Sequence, residues 1–465
     1  MARIAPLSGF PEQLPADYLV EQAIVDSLRH TFELHGFSGI ETRAVEPVSQ
    51  LLSKGETSKE IYLLSRLQDA ANENRREDKN QLGLHFDLTV PFARYVIENA
   101  GKLQFPFKRY QIQKVWRGER PQDGRFREFI QADIDVVGQN SLPAHYEVEL
   151  PLVMADAFRR LKEFGVPSVK ILVNNRKVSQ GFYQGIGISN VEETLRCIDK
   201  LDKIGSDAVA ELLRATTGAT AEQAQACLEL AQISGGSAAL DQVKALAGKY
   251  GAHSELLDTG LAELGALIIA AEAQGSDSIE VDLKIARGLD YYTGAVYESV
   301  LEGHEDLGSI CSGGRYDSLA TDGKTTYPGV GLSIGVSRLV SRLLNAGLMK
   351  ANRAVPTAVL VAVVAEEKRG ESDWVAAQLR ERGIACEVAP SAAKFGKQIQ
   401  FAERRGIPFV WFPPELGPVE LASAEINESP QHQVKDIRSG EQVAADPATW
   451  LPPSQDAKPR IVPVN

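Results

Sequence analysis

The chain has 465 residues, of which 43% are hydrophobic and 24% are charged. This composition is typical of a globular protein with two or three domains. No apolar run approaches the ~20 residues of a membrane-spanning helix, and the first residues lack the apolar core of a signal peptide. Four widely separated cysteines, Cys197, Cys227, Cys311 and Cys386, form no CxxC pair. We therefore expect a cytoplasmic protein with neither a zinc site nor a disulfide framework.

The net charge is −12, which argues against binding of nucleic acid over the whole surface, because phosphate contacts need basic groups. The charge is unevenly distributed, however. Residues 102–127 carry eight lysines and arginines and only two acidic residues. An acidic protein with one basic segment can still attract a polyanion to one place.

The N-terminal part predicts a helix followed by an extended segment. Apolar residues recur near the helical period over residues 15–36, and Gly36 favours a helix end. Residues 37–42 have strand character. The polar, mixed-charge residues 65–81 predict an exposed loop or a turn of helix.

A strand that ends near Asp87-Leu88-Thr89 is predicted to lead into a helix, with Thr89 as the N-cap and Pro91 in the first turn. Two interpretations of Asp87 and Thr89 are open. The residues alone favour a purely structural role as caps. The alternative is that the carboxylate and the hydroxyl accept hydrogen bonds from a substrate ammonium group.

Residues 107–138 predict a long-looped β-hairpin. Polar and apolar residues alternate from Arg109 to Trp116 and again from Phe126 to Val137, and the loop between contains Pro121 and Asp123-Gly124. The loop and its flanks carry Arg117, Glu119, Arg120, Gln122 and Arg125. Arginines suit a triphosphate because the guanidinium is permanently charged and bidentate. An exposed basic hairpin is the alternative.

Two features bear on that choice. The chain has no GxxxxGK[ST] loop, so any bound ATP would be held by arginines rather than by a P-loop. Gln131 and Asp135 are four residues apart on the second strand, and an even spacing places them on one face. A polar pair on one face favours a binding site over an exposed hairpin.

Downstream, residues 145–165 predict a helix and residues 169–173 a strand. Residues 176–275 are rich in Ala, Leu and Glu, which predicts a helical lobe inserted between two parts of a β-sheet. Residues 283–298 then predict strand, turn and strand; on this stretch alone a buried hairpin with an aromatic pair is favoured. Gly313-Gly314 would allow close approach of the backbone to a ligand or a strand.

The last third predicts a second domain. Residues 346–356 have the character of a linker. Strands and helices then alternate, which predicts a small, mostly parallel sheet, and Lys394, Lys397, Arg404 and Arg405 make one end basic. Residues 434–442 predict a terminal hairpin, and we expect the Pro-rich end from Ala444 onward to be poorly ordered.

Three stretches of the chain together resemble one family. They are the run Arg287-Gly288-Leu289-Asp290-Tyr291-Tyr292, the hairpin with Arg117 and Glu119, and the small-residue strand that leads to Arg338. This combination resembles histidyl-tRNA synthetases, which are class II aminoacyl-tRNA synthetases, and the resemblance covers nearly the whole chain. It implies an α+β catalytic domain with a mostly antiparallel sheet flanked by helices, a helical insertion and an α/β anticodon-binding domain.

The implied boundaries are 1–175 with 276–345 for the catalytic domain, 176–275 for the insertion, 346–356 for a linker and 357–465 for the anticodon-binding domain. The implied activity is the ATP-dependent attachment of L-histidine to tRNA(His) through a histidyl-adenylate, with ATP as a substrate and Mg²⁺ on its phosphates. The insertion either reaches the tRNA acceptor arm or is a packing lobe, and the two interpretations are equally favoured.

The resemblance also implies roles for individual residues. Arg287 and Arg117 would be catalytic. Histidine would be bound by Asp87, Leu88, Thr89, Arg117, Gln131, Asp135, Arg287, Tyr291 and Tyr292. ATP would be bound by Arg117, Glu119, Arg125 and Arg338. Arg120 and Gln122 are candidates for contact with the tRNA acceptor end. No protein ligand to the metal is assigned.

The sequence departs from the family pattern at two positions. Arg43 stands where the family usually carries a proline on its dimer-interface strand, and Ser337 stands where a glutamate often precedes Arg338. A homodimer is still expected. The rival hypotheses are a non-catalytic, histidine-sensing regulatory paralogue, another synthetase with the same C-terminal domain, and a plain RNA-binding module. The signature arginine Arg287 and the C-terminal domain, both present, weigh against the first hypothesis, because such paralogues usually lose one of them. The 287–292 run and the Gln131/Asp135 pair weigh against the second. A pocket of buried arginines would have no purpose in the third.

Overall fold

The structure is a computed structural model that describes residues 5–52, 60–67, 81–286, 292–414 and 431–464. Its described residues divide into two compact units. The first comprises the described residues within 1–12 and 24–346, and the second comprises those within 13–23 and 347–465. None of the helices in these ranges is long and apolar enough to cross a bilayer.

The first elements follow the sequence pattern closely. Helix α1 is Pro15–Leu34, and its apolar stripe, which includes Ile24, Leu28 and Phe32, is fully buried. The chain leaves the helix at Gly36, whose φ of 78° is easy only for glycine. The next elements are β1 (Ser38–Gly39), β2 (Val45–Pro47), α2 (Val48–Leu51), β3 (Leu63–Leu64), β4 (Leu82–Leu84) and α3 (Thr89–Asn99).

The hairpin predicted from alternation is present. It consists of β5 (Phe107–Trp116) and β6 (Glu128–Val137), which pair antiparallel along their whole length. Strand β6 is buried on both faces toward its end. One face carries the apolar residues Ala132, Ile134 and Val136, and the other carries buried polar residues. A polar face that is also buried has to be compensated by partners, and here it forms part of the candidate site.

The helical region lies between two strands of the same sheet. Helix α4 (His145–Leu161) leads to β7 (Val169–Asn175). Four of the helices that follow begin with a side-chain N-cap, which is provided by Asn175, Asn190, Thr220 and Ser254. The elements are α5 (Arg176–Gly185), α6 (Val191–Ile198), α7 (Leu201–Ile204), α8 (Ser206–Thr217), α9 (Ala221–Ala231), β8 (Ser234–Gly235), α10 (Ala238–Tyr250) and α11 (Glu255–Ala273).

The remaining elements of the first unit complete its large sheet. They are β9 (Ile279–Asp282), β10 (Tyr292–Leu301), β11 (Cys311–Tyr316), β12 (Gly329–Gly335) and helix α12 (Val336–Asn345). Within the described ranges the sheet has nine strands in the order β1-β5-β6-β12-β11-β10-β7-β9-β8. The pairs from β5 through β7 are all antiparallel, which confirms the expectation of a mostly antiparallel catalytic sheet.

The second unit is an α/β layer. Its elements are β13 (Met349–Ala351), β14 (Val359–Val361), α13 (Arg369–Glu381), β15 (Cys386–Val388), α14 (Phe395–Arg405), β16 (Phe409–Phe412), β17 (Gln433–Asp436), β18 (Gln442–Ala444), α15 (Ser454–Ala457) and β19 (Ile461–Pro463). Strand β14 is parallel to both β15 and β16, and β17 and β18 form the predicted hairpin. Its core contains Leu360, Val361, Leu379 and Trp411.

The prediction of a poorly ordered C-terminal end is wrong. Strand β19 pairs antiparallel with β13, which lies in the segment that the sequence suggested as a linker. The tail is further fixed by Asp456, which is 1% exposed and receives two hydrogen bonds from Arg438, at 2.8 and 2.9 Å. High proline content is compatible with an ordered edge strand when the ladder hydrogen bonds are made on one side only.

Candidate active site

A cleft of about 250 Å³ opens on the face of the large sheet where β6, β11 and β12 meet. It is lined by five of the residues singled out in the sequence, namely Arg117, Glu119, Arg125, Gln131 and Arg338. These residues come from the hairpin, from its loop and from the first turn of α12. The fold thus brings together side chains that are more than 200 positions apart in the sequence, as Arg117 and Arg338 are.

The arginines of the cleft are positioned by the backbone and by an aromatic ring. The Nε of Arg117 donates to the carbonyl of Phe86 at 3.0 Å, and its guanidinium lies over the ring of Phe129, 5.2 Å from the centroid. The carboxylate of Glu119 is 3.8 Å from both Arg117 and Arg125. Glu119 therefore sets the spacing of two cations that line the same cleft.

The loop of the hairpin is closed by a tight turn in which the backbones of Gln122 and Arg125 exchange two hydrogen bonds, at 3.2 and 2.9 Å. The side chains of Arg120 and Gln122 are exposed to solvent. Arg338 donates from Nη2 to the carbonyl of Leu307. The loop therefore carries exposed polar groups at the mouth of the cleft and a cation, Arg125, at its edge.

A second residue of α12 ties two loops together at this mouth. The Nη2 of Arg342 lies 3.0 Å from the carboxylate of Asp123 and 2.9 Å from that of Asp306. The hydrogen bond from Arg342 lowers the pKa of Asp306. One arginine, only 16% exposed, thus fixes the hairpin loop against the segment that contains Leu307.

Next to the cleft lies a narrow recess lined by Thr89, Asp133, Asp135, Tyr292 and Tyr316, among others. Asp135 accepts a hydrogen bond from the Tyr316 hydroxyl at 2.8 Å. Gln131, which lines the cleft, donates to both oxygens of Asp133, which lines the recess, at 3.0 and 3.2 Å. The polar face of β6 therefore points one amide and two carboxylates toward the same region.

Two glycines make this arrangement sterically possible. A Cβ on Gly331, which faces Asp135 across the β6–β12 pair, would lie 2.1 Å from the Asp135 carboxylate. A Cβ on Gly313 would lie 2.0 Å from the Gly331 carbonyl. The prediction that Gly313 allows close approach of another strand is confirmed, and the carboxylate of Asp135 occupies space that only a glycine at position 331 leaves free.

The start of α3 differs in detail from the prediction. The helix begins at Thr89, which is its first residue and not its cap, and Leu88 occupies the cap position without a side-chain hydrogen bond. The carboxylate of Asp87 caps the helix instead, by accepting from the backbone N–H of Val90 at 3.1 Å. The side chain of Leu88 is fully buried, so only its backbone could face a ligand.

Three residues of the site were not identified from the sequence: Arg109, Asp133 and Tyr316. Arg109 has no exposed surface, and its Nη2 lies 2.6 Å from Asp135 and 3.8 Å from Asp133. The spacing of two from both Gln131 and Asp135 could have identified Asp133. Arg109 and Tyr316 carry no comparable local signal, because their contacts depend on strand pairing.

The predicted residues Arg287 and Tyr291 lie outside the described residues. The flanking positions are described: Ala286 is buried, and Tyr292 lines the recess and packs with an apolar cluster that includes Phe92 and Tyr316. Arg176 donates to the carbonyl of Tyr292 at 2.9 Å, which anchors the start of β10.

Burial dominates the electrostatics around the site. It raises the pKa of Asp133, although Arg109, Ser333 and Gln131 act against that change. Burial likewise lowers the pKa of His85, whose Nε2 lies 2.8 Å from the carbonyl of Lys114 and whose ring stacks on Trp116. In the ranges that the structure describes, no group of three or more His, Cys, Asp or Glu residues could hold a metal ion.

Comparison with known proteins places the chain in context. A family model described as histidyl-tRNA synthetase matches residues 9–339, and one described as an anticodon binding domain matches residues 358–446. Over 463 residues the chain is 57% identical to a protein of Bifidobacterium animalis subsp. lactis named histidine–tRNA ligase, with 97% of each chain covered.

Solved structures show the same likeness. The crystal structure of histidyl-tRNA synthetase from Nostoc sp. PCC 7120 aligns with a TM-score of 0.82 at 36% identity, and it covers 96% of this chain and 97% of that one. A structure titled as an ATP phosphoribosyltransferase regulatory subunit/histidyl-tRNA synthetase from Bacillus halodurans C aligns with a TM-score of 0.69 and covers 85% of this chain and 96% of that one. Its identity is only 21%, so this second likeness concerns the fold alone.

Proposed function

Because this chain belongs to the histidyl-tRNA synthetase family, we propose that the cleft and the recess are the two halves of its active site. The chain is a histidine–tRNA ligase of class II: it attaches L-histidine to tRNA(His) in two steps. The histidine carboxylate first attacks the α-phosphate of ATP and releases pyrophosphate. The histidyl group then passes from the adenylate to the 3′ end of the tRNA, and AMP is released.

We assign ATP to the cleft. Arg117 and Arg287 would contact the α-phosphate and the histidine carboxylate, and Arg125 and Arg338 would hold the β- and γ-phosphates. Glu119 lies between two of these arginines and would offset their mutual repulsion until the phosphates enter. Arg338 would give up its contact with the Leu307 carbonyl in exchange for a phosphate oxygen.

We assign histidine to the recess. Asp87, Thr89 and Gln131 would accept or orient its ammonium group, with the backbone of Leu88 beside them. Asp135 would accept the imidazole N–H, and Tyr291 and Tyr292 would flank the ring. Such a site disfavours isosteric amino acids that lack the N–H, because they cannot make this hydrogen bond to the buried Asp135 carboxylate.

No protein nucleophile is needed in this mechanism. The two substrates react directly, so the protein lowers the barrier by holding the carboxylate in line with the α-phosphate and by stabilising the charge on the pentavalent phosphorus. Of the carboxylates assigned to the active site, Glu119 is the one that lines the cleft. One protein carboxylate fits a Mg²⁺ ion that would be held mainly by phosphate oxygens. Bound there, the ion would offset the negative charge of the triphosphate.

We further propose the boundaries and the roles of the domains. Residues 1–175 and 276–345 would form the catalytic domain, 176–275 the helical insertion, and 357–465 the anticodon-binding domain after the segment 346–356. In the last domain the end of α14 carries Arg404 and Arg405. Arg120 and Gln122, exposed on the hairpin loop, would contact the acceptor end of the tRNA.

We also propose a homodimer that works in the cytoplasm. Strand β1 is the exposed edge of the large sheet and would lie at the dimer interface. Arg43, in place of the usual proline, forms an ion pair with the buried Glu46 at 2.9 Å. The four cysteines are all free, as expected in a reducing compartment. Light scattering of the purified protein tests the dimer.

The observation that carries the active-site proposal is that Arg117, Arg125, Arg338 and Gln131 line one cleft. Its test is ATP–pyrophosphate exchange without tRNA, with histidine as substrate and proline, threonine and glycine as controls. Exchange with histidine alone is expected, and it should stop when Mg²⁺ is chelated. Exchange that persists at the parent rate after Arg117→Ala and Arg338→Ala would contradict the assignment of the cleft.

A further inference from the structure

Arg109 is an arginine with no exposed surface in the middle of the catalytic sheet. It lies on β5 directly opposite Asp135 of β6, and its Nη2 is 2.6 Å from one oxygen of that carboxylate. The same nitrogen is 3.8 Å from Asp133. The guanidinium lies over the ring of Phe92, with 4.2 Å between Cζ and the ring centroid. The sequence analysis gave this residue no role.

The stability of the fold does not explain this residue. Among the described residues, Nε, Nη1 and Nη2 of Arg109 all lack a hydrogen-bond partner, so the contact of Nη2 with Asp135 is an ion pair and not a hydrogen bond. Buried N–H groups without a hydrogen bond are unfavourable. Buried ion pairs can often be replaced by apolar residues of similar volume without loss of stability. A residue that is costly to bury and not needed for packing suggests a functional reason.

The reason follows from the charges around it. Asp133 and Asp135 are buried two residues apart on the same strand. Two neighbouring carboxylates in a dry site cannot both stay ionised without a counter-charge. Arg109 supplies that charge, and it contacts one oxygen of Asp135 while the other oxygen accepts from Tyr316. The two contacts fix both the charge and the direction of the Asp135 carboxylate.

We propose that Arg109 is a positioning residue for histidine selection: it holds Asp135 as a carboxylate aimed into the recess, ready to accept the imidazole N–H. This inference rests on the role proposed above for Asp135. Arg109 itself touches no substrate in this arrangement. It acts through the orientation and charge of Asp135, while Phe92 beneath the guanidinium prevents it from turning away.

The experiment compares three variants in the full-length protein. Arg109→Met removes the charge at similar volume, and Arg109→Lys keeps the charge but loses the planar fork. Because Arg109→Met alone leaves two uncompensated buried carboxylates and can fail to fold, the third variant combines it with Asp133→Asn. Folding is checked by thermal unfolding, and ATP–pyrophosphate exchange gives the KM for histidine and for ATP separately.

The Arg109→Met/Asp133→Asn variant is expected to raise the KM for histidine roughly fiftyfold, the order expected for loss of one charged hydrogen bond, with the KM for ATP unchanged. Arg109→Lys is expected to lie between this variant and the parent. A second readout is the ratio of kcat/KM for histidine to that for β-(2-thienyl)alanine, which is similar in size but has no ring N–H. This ratio should fall by a similar factor.

The matched control is Arg315→Met, which removes a partly buried arginine of the same sheet, paired with Glu147 at 2.8 Å. It should lower the thermal unfolding temperature without changing the selectivity ratio. An unchanged ratio and histidine KM in a folded Arg109 variant would overturn the inference. In that case Asp135→Asn shows which proposal has failed. If Asp135→Asn also leaves the KM for histidine unchanged, the proposed role of Asp135 has failed. If it raises that KM, only the proposed role of Arg109 has failed.

Discussion

Asp87 accepts a hydrogen bond from the backbone N–H of Val90, with 3.1 Å between the carboxylate Oδ1 and the nitrogen. The two interpretations of Asp87 drawn from the sequence, helix cap and ammonium ligand, are therefore compatible. One oxygen starts helix α3, and the carboxylate as a whole lies in the segment assigned to the histidine ammonium. The same geometry makes the two roles separable by mutation.

Asp87→Asn is expected to keep the cap and lose the ligand. Asparagine caps helices as well as aspartate does, so the free energy of unfolding should stay within about 0.5 kcal/mol of the parent. The KM for histidine should rise about thirtyfold, because the ammonium loses a charged partner. Urea unfolding and ATP–pyrophosphate exchange measure the two effects. Asp87→Ala, by contrast, should also lose about 1 kcal/mol of stability. An Asn variant with the parent KM would remove Asp87 from the site.

Arg287→Ala is expected to abolish adenylate formation while leaving the fold intact. The assigned arginine stabilises charge that develops on the α-phosphate, and removal of such a group costs on the order of a thousandfold in rate. Histidine-dependent pyrophosphate exchange measures the loss, and circular dichroism and thermal unfolding check the fold. A near-normal exchange rate in this variant would rule out the catalytic role.

Arg342→Ala should loosen the hairpin loop at the mouth of the cleft. It removes both ion pairs that tie Asp123 and Asp306 to α12. Since both partners are exposed, the expected effect is modest, about a fivefold rise in the KM for ATP, and it should shrink as salt is added. The control is Lys244→Ala, which removes an exposed ion pair on α10. It should change neither the KM for ATP nor the salt dependence of that KM. An ATP KM that is equally insensitive to both substitutions would contradict the tether.

Arg438→Met should destabilise the second unit in a pH-dependent way. At pH 7 the free energy of unfolding of the variant should be about 2 kcal/mol lower than that of the parent, because Asp456 stays buried without Arg438. The loss is smaller than for a fully buried pair, because Arg438 is half-exposed. The hydrogen bond from Arg438 also lowers the pKa of Asp436. A carboxyl whose pKa is lower in the folded state contributes stability above its unfolded pKa, near 3.9, and loses it as the pH falls through the folded value.

The difference between Arg438→Met and the parent should therefore narrow as the pH is lowered from 5 toward 3. Urea unfolding followed by tryptophan fluorescence suits this test, because Trp374, Trp411 and Trp450 all belong to the second unit. Lys397→Met, an exposed position on α14, serves as the control and should unfold like the parent. A constant difference across the pH range would show that the Arg438 pairs do not carry the effect.

Local periodicity accounts for what the sequence could predict. The alternation in β5 and β6 identified the hairpin, and the even spacing of Gln131 and Asp135 placed both on its polar face. Short, self-contained signals of this kind survive folding because they depend only on neighbouring residues. The same applies to α1, whose end was predicted from Gly36.

Pairing across distant parts of the chain accounts for what could not be predicted. Arg109 looked like one more charge in a basic segment, and only the strand register places it opposite Asp135. Tyr316 is 181 residues from the carboxylate that it contacts. The proline content of the tail predicts disorder. That prediction fails because the partner strand, β13, lies at the opposite end of the second unit in sequence and gives no local signal.

Strand β13 can be paired only after the chain has been made as far as β19, because Met349 pairs with Pro463. The described strands of the large sheet all precede β13 in the sequence. Domains generally fold in the order of their synthesis. Until β19 is in place, β13 has an open edge that can pair with another chain. A chain shortened to end before β19 would keep every candidate residue of the active site and still carry that exposed edge.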